Sequence, residues 1–259
     1  MSPPERHALF SLLLENAGLH PARPAIITPD NRIDHGTLPD RVQAIAGWLL
    51  EQGFDPDAMT GVTVTDEVDH LLITLALVCL GTPSISLGSF EGPQSHLRVA
   101  EQLDMRQYIA PQQARLDFPV QRFWPPAECA PSTRARDRMV SLALLPEDRL
   151  MYASTSGTTG VPKTLGRTMV HTLYLVSLIA QDPGKDCILR TSSVEHDASR
   201  VQQVCTLLAG RTAAILNPVT ADNLAPFCAR SGVTEVHGGT YRLASLLAGP
   251  ANPAHRLPD

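Results

Sequence analysis

Lysine is nearly missing from this chain: of 21 Lys and Arg residues, only Lys163 and Lys185 are lysines. No basic stripe forms, and the net charge is −5. Both facts argue against a nucleic-acid partner. Cysteine is sparse as well. The five, Cys79, Cys129, Cys187, Cys205 and Cys228, lack the paired spacing of a metal site. Four of them lie in apolar runs, the pattern of buried thiols in a reduced, cytoplasmic protein. No apolar run is long enough for a membrane: the longest, residues 71–80, is short and contains Thr74. Glu5 and Glu15 flank the apolar stretch 8–14, and no small-residue cleavage site follows cleanly, which favours an amphipathic helix over a signal peptide. No internal repeat is evident. The Walker A loop is also excluded, because it needs glycine directly before its lysine and Pro162 stands there.

What is present suits a globular enzyme-sized chain. Its 259 residues, 43% hydrophobic and 18% charged, can bury a substantial core. Helices are expected over 8–17, 38–52, 67–80 and 94–103, the third capped by Asp66 and the second by Thr37 with Pro39 in its first turn. Short strands are expected at 25–28, 32–34, 61–65, 84–87 and 107–110. From 111 to 146 prolines and arginines break the pattern, and only Phe118, Val120 and Phe123 hint at further strands. Beyond it, strands at 150–152, 187–190, 212–216 and 235–237 alternate with helices starting near Thr168, Ala198, Ala221 and Tyr241. The helix near Thr168 is expected to carry Val170, Leu173, Ser177 and Leu178 on one face. The class is α/β, with layered, mostly parallel sheets flanked by helices. The expected division is a first subdomain at 1–110, an irregular connector at 111–147 and a second subdomain at 148–259.

The stretch Tyr152 to Lys163, YASTSGTTGVPK, concentrates chemistry. Ser154, Thr155, Ser156, Thr158 and Thr159 surround Gly157 and Gly160, and Lys163 closes the segment. Hydroxyls, backbone N–H groups freed of Cβ obstruction, and a mobile cation can together hold one anion. A strand leading in and a helix expected after it are the usual setting of a phosphate cradle. A Ser/Thr/Gly linker is the plain alternative. A second group, Ser192 to Ser199, follows the strand at 187–190, where open α/β sheets bind ligands. There Asp197 either caps the next helix through the N–H near Arg200 or serves a ligand, and His196 is either packed or functional. Gly238 and Gly239 permit close approach of a ligand, or they form an ordinary turn with Thr240 as cap.

YASTSGTTGVPK closely resembles the phosphate-loop signature of the adenylate-forming superfamily: acyl-CoA synthetases, adenylation domains of non-ribosomal peptide synthetases, and luciferases. The order of elements up to Gly81 resembles the start of that family, and the likeness runs over nearly the whole chain. Thr164 departs from it, since the family usually has glycine after the lysine. The resemblance implies the fold of the N-terminal subdomains of these enzymes. It implies that Thr155, Ser156, Gly157, Thr158, Thr159, Gly160 and Lys163 hold the β- and γ-phosphates of ATP, with Mg2+ bridging them. His196-Asp197-Ala198-Ser199, followed by Leu207 to Gly210, looks like the family segment at the acyl pocket. In amino-acid-activating members the aspartate there binds the substrate ammonium; in many CoA ligases a histidine near that place gates the pocket. His196, Asp197, Gly238, Gly239 and Thr240 are the implied pocket residues.

The implied reaction joins a small carboxylic acid to AMP with release of pyrophosphate, then passes the acyl group to a thiol of coenzyme A or a carrier-protein arm. An acyl-CoA synthetase-like ligase is the expectation, with an amino-acid-activating adenylation domain or a non-catalytic binding or assembly module as alternatives. The family's tyrosine-glycine-x-threonine-glutamate motif, ribose-binding aspartate, hinge and catalytic lysine are not found. The resemblance therefore implies an N-terminal portion without catalytic residues of its own or a metal-binding residue, expected not to turn over alone.

Overall fold

A computed structural model describes residues 8–111, 120–155 and 163–247. Helix α1 (Leu9–Leu19) precedes strands β1 (Pro24–Ile27) and β2 (Arg32–Asp34) and helix α2 (Leu38–Glu51). Then come β3 (Thr60–Val62), α3 (Glu67–Leu80), β4 (Ser84–Ser86), α4 (Pro93–Gln102), β5 (Gln107–Ile109), β6 (Gln121–Phe123) and α5 (Thr133–Ser141). The rest is β7 (Arg149–Thr155), β8 (Lys163–Thr168), α6 (Met169–Gln181), β9 (Cys187–Arg190), α7 (Asp197–Leu208), β10 (Thr212–Ala214), α8 (Ala221–Ser231), β11 (Glu235–His237) and α9 (Thr240–Leu247).

Among the described residues these strands form two sheets. The first runs β6-β5-β3-β4-β7-β8 and the second β11-β9-β10-β1-β2. Every pair is parallel except β1 with β2 and β7 with β8. The α/β expectation holds. The division at residues 110 and 147 does not follow the sheets: β1 pairs with β10, setting Ile26 beside Ala213, while β7 joins β4. Strands of three or four residues carry too little pattern to name a partner nearly 190 positions away.

One apolar cluster ties the layers together. Leu9, Phe10 and Leu13 of α1 share it with Leu71, Leu75 and Val78 of α3 and with Val201, Val204 and Leu208 of α7. Each such side chain contributes about 1.5–3 kcal/mol by leaving water. Helix α3 is apolar nearly all round, which fits a helix walled in on every side. Its ends match the sequence expectation. Asp66 accepts from the N–H groups of Val68 and Asp69 at 3.0 and 2.9 Å, and Gly81 leaves the helix at φ 76°.

Three expectations need correction. The connector holds the strand hinted at near Val120 and Phe123, since β6 extends the first sheet, but it also holds a helix that was not expected: α5 packs against α2, where Gln43 donates to the Ser132 carbonyl at 2.9 Å. A Cβ on Gly47 would collide with Ser132, so glycine sets how closely the two meet. Thr37 stands at the start of α2, but its hydroxyl donates back to the Asp34 carbonyl at 3.1 Å and caps nothing. The third concerns α6, which buries Met169, Thr172, Val176 and Ile179. Val170 and Leu178, from the apolar face that the sequence suggested, are 58% and 43% exposed. The segment is apolar on more than one stripe, so period alone allowed two faces, and packing chose the other.

Candidate functional site

Strand β7 is seven residues long. It lies between β4 and β8, with Ser154 opposite Thr164 and Thr155 opposite Lys163. The chain does not take the expected order of strand, loop and helix. Six residues, Lys163 to Thr168, run back along β7, so residues 156–162 join two antiparallel strands and α6 starts only at Met169. The helix begins where it was expected, near Thr168; what the expectation lacked is β8, which pairs with β7 before it. Ser156, Gly157, Thr158, Thr159 and Gly160 lie outside the described residues; Lys163, at the start of β8, is exposed.

A cleft of about 430 Å³ opens next to the end of β7. Tyr152, Ala153 and Ser154 form one wall, and Glu195, His196, Asp197 and Arg200 form the other. It thus lies between the first sheet and the helix that follows β9 of the second. The segment before α7 is fixed from two sides. Buried Glu67 on α3 accepts from the Val194 N–H at 2.8 Å, and burial pushes its carboxyl above the ordinary range. Glu195 accepts from the Ser89 N–H and hydroxyl at 2.8 and 2.9 Å. Phe90 faces the ring of His196 with centroids 4.8 Å apart, tilted 30°.

Asp197 is not a cap. The Arg200 N–H that would serve it bonds the His196 carbonyl at 2.9 Å. His196 occupies the cap position and makes no side-chain cap bond. The Asp197 carboxylate instead meets two guanidinium groups. Arg167 of β8 donates to Oδ2 through Nε at 3.2 Å and Nη2 at 2.7 Å, and Nη2 of Arg200 lies 3.5 Å from Oδ1. Arg200 is wholly buried, and its Nη2 also donates to the Tyr152 carbonyl of β7 at 2.6 Å. Among the described residues its Nε and Nη1 have no hydrogen-bond partner. Burial pulls the Arg200 guanidinium below its ordinary range, against the attraction of Asp197.

Among the expected pocket residues, the cleft therefore gathers His196 and Asp197. Gly238, Gly239 and Thr240 do not line it; all three are exposed, and Thr240 opens α9. A Cβ on Gly238 would strike the Thr191 hydroxyl, so its glycine serves local packing. Arg167 and Phe90 went unremarked in the sequence, and Glu195 and Arg200 entered only as neighbours of His196 and Asp197. One signal was there: Arg200 interrupts an otherwise inward-facing stretch of α7, three residues after an acid. Among the described residues no group of three or more His, Cys, Asp or Glu could hold a metal ion, and no helix is long and apolar enough to cross a membrane.

Comparison with known proteins points one way. A family model described as AMP-binding enzyme matches residues 13–257. Phosphinothricin tripeptide synthetase PhsC of Streptomyces viridochromogenes is 28% identical over 264 residues, covering 95% of this chain and 24% of that protein. The chain thus spans about a quarter of that curated relative. Among solved structures, O-succinylbenzoate coenzyme A synthetase of Bacillus subtilis with AMP superposes at TM-score 0.78, 17% identical, over 97% of this chain and 66% of that one. Holo-PA1221, which contains adenylation and PCP domains, superposes at TM-score 0.70 with 20% identity, over 89% of this chain and 40% of its own. The two structural likenesses show the fold: that of the N-terminal part of adenylate-forming enzymes.

Proposed function

Because the chain belongs to the AMP-binding enzyme family, we propose that it is the N-terminal part of an ATP-dependent ligase that activates a small carboxylic acid as its adenylate. A carboxylate oxygen bonds to the α-phosphorus, the α–β phosphoanhydride breaks, and pyrophosphate leaves. The acyl group then moves to a thiol, of coenzyme A or of a carrier-protein arm. The relatives include a coenzyme A synthetase and a protein with a PCP domain, so both acceptors stand. A cytoplasmic setting is supported by five free cysteines, four of them buried.

The observation that carries this reading is the position of the cleft. It opens along Tyr152, Ala153 and Ser154, the residues that lead directly into the Ser/Thr/Gly-rich stretch, and it faces the start of α7. Such a site works mainly by positioning and by charge. The hydroxyl and backbone groups between Thr155 and Gly160 would take the β- and γ-phosphates. Lys163 would offset their charge from the far strand. ATP supplies the pyrophosphate leaving group, with Mg2+ carried on the phosphates. On this reading the phosphates would lie toward the Ser154 side of the cleft and the acid beside His196 and Phe90.

The test is acid-dependent exchange of labelled pyrophosphate into ATP, on the protein as it is encoded, over a panel of acids. Exchange with at least one acid is expected. ATP binding without exchange on any acid would favour a binding or assembly module.

A further inference from the structure

We propose that the cavity at the carboxyl ends of β9 and β10 is a second ligand site, taking a small oxyanion that carries its own proton, of the size of hydrogen phosphate. It shares no lining residue with the cleft beside β7, and the proposal does not rest on the ligase reading.

Topology opens the cavity. Strand β9 leads through α7 to its neighbour β10, and β10 leads through α8 to β11 on the far side of β9. Right-handed crossovers in opposite directions put the two helices on opposite faces of the sheet. The packing agrees: Ile188 and Ala213 join the cluster of α7, while Leu189 and Ala214 join Leu224 and Phe227 of α8. The chain therefore leaves β9 and β10 toward opposite faces, and a crevice opens between the two strand ends. Its volume is about 90 Å³. That is the share of about three waters, enough for one tetrahedral oxyanion and far below the pocket of a larger ligand.

The lining holds charge that the chain leaves unused. Arg190, the last residue of β9, is half-buried, and its guanidinium makes neither a hydrogen bond nor a close ion pair among the described residues. Burial pulls it down to about 10, against the attraction of Glu235, so it stays charged at neutral pH. Arg242 of α9 lines the same cavity, exposed and anchored through Nη2 on the Val219 carbonyl at 2.7 Å. The same lining carries acceptors. Gln203 of α7, 5% exposed, gives Nε2 to the Ser199 hydroxyl at 3.2 Å, and its Oε1 has no partner among the described residues. Glu67 completes the set, its carboxylate accepting from the Val194 N–H, a neutral donor. Two guanidiniums call for bare anionic oxygens. A lone amide oxygen and a carboxylate call for an O–H. Hydrogen phosphate supplies both in one tetrahedron. Sulfate has the same shape and no proton to give at neutral pH.

The test is calorimetric titration of inorganic phosphate, and separately of sulfate, into the intact chain at neutral pH. Saturable phosphate binding is expected, at least about tenfold tighter than sulfate. Arg190→Leu is expected to abolish it, and Gln203→Leu to narrow the ratio between the two ions. Arg242→Gln, at an exposed position, is expected to weaken both ions; if the two buried variants do not fold, it decides alone, and unchanged phosphate affinity there would count against the site. Sulfate bound as tightly as phosphate would overturn the proposal. So would the absence of saturable binding by either ion, which would leave the cavity to water. So, too, would phosphate binding that survives Arg190→Leu and disappears in Lys163→Ala, since the ion would then belong to the Ser/Thr/Gly-rich stretch.

Discussion

Helices α3 and α7 make a useful pair. Each follows a parallel strand, α3 after β3 and α7 after β9, and each runs through the shared core. They treat their first acids differently. Asp66 turns inward on its own helix and caps it. Asp197 ignores its helix and binds arginines from β8 and from the next turn. Their buried polar groups differ likewise. On α3 the wholly buried ionisable group is His70, whose Nδ1 bonds the Val64 carbonyl at 2.8 Å and whose pKa burial lowers to about 4, so it sits neutral. On α7 it is Arg200, held charged by a partner. One helix is scaffold, its cap and the Nδ1 of its buried histidine bonded within a few residues. The other gives up local satisfaction so that charge can stand at a cleft.

That contrast can be broken at several points. The largest effect is expected from Asp197→Ala, which strands Arg200 in the core; loss of one partner of a buried pair costs about 3–5 kcal/mol. Chemical denaturation checks it, and restoring part of the loss with Arg200→Met in the same chain would identify the stranded charge as the cause. On the scaffold side, Leu75→Ala on α3 is expected to cost about 2–5 kcal/mol through the cavity it leaves, without touching ligand binding.

Acid is expected to act through His70. Its pKa is lowered to about 4 in the folded chain from 6.5, so the unfolded chain binds the extra proton between those values. Stability therefore rises with pH through that window and is lost as pH falls from 6.5 toward 4, by about 3 kcal/mol for the full shift. Buried Glu67 and the exposed but partly desolvated Asp69 have raised values and work the other way, favouring the folded chain at low pH and losing that contribution as pH rises through their folded values. The clean readout is the difference in pH slope between wild type and His70→Gln. The smallest effect is expected from Asp66→Ala, about 1 kcal/mol for a lost cap.

The same contrast explains what could be read in advance. Helix α3 was legible to the residue because its cap, its apolar run and its closing glycine are all local. Strands β9 and β11 were legible because short apolar runs stood between clear breaks. The β8 strand was not, since KTLGRT has no strong alternation and its pairing depends on β7. Within the site, His196 and Asp197 could be flagged by their place after β9. Their partners could not: Arg167 lies 30 positions from Asp197, and only folding brings the two together. The role of Asp197 therefore changed once its neighbours were known, although its position did not.

The central claim is that the cleft beside β7 binds the charged end of ATP. It is tested most directly by titrating ATP into this chain and into Lys163→Ala. Saturable binding by wild type, weakened at least about tenfold by loss of the lysine cation, is the expected result. Equal affinity in the two proteins, or no binding by either, would contradict it.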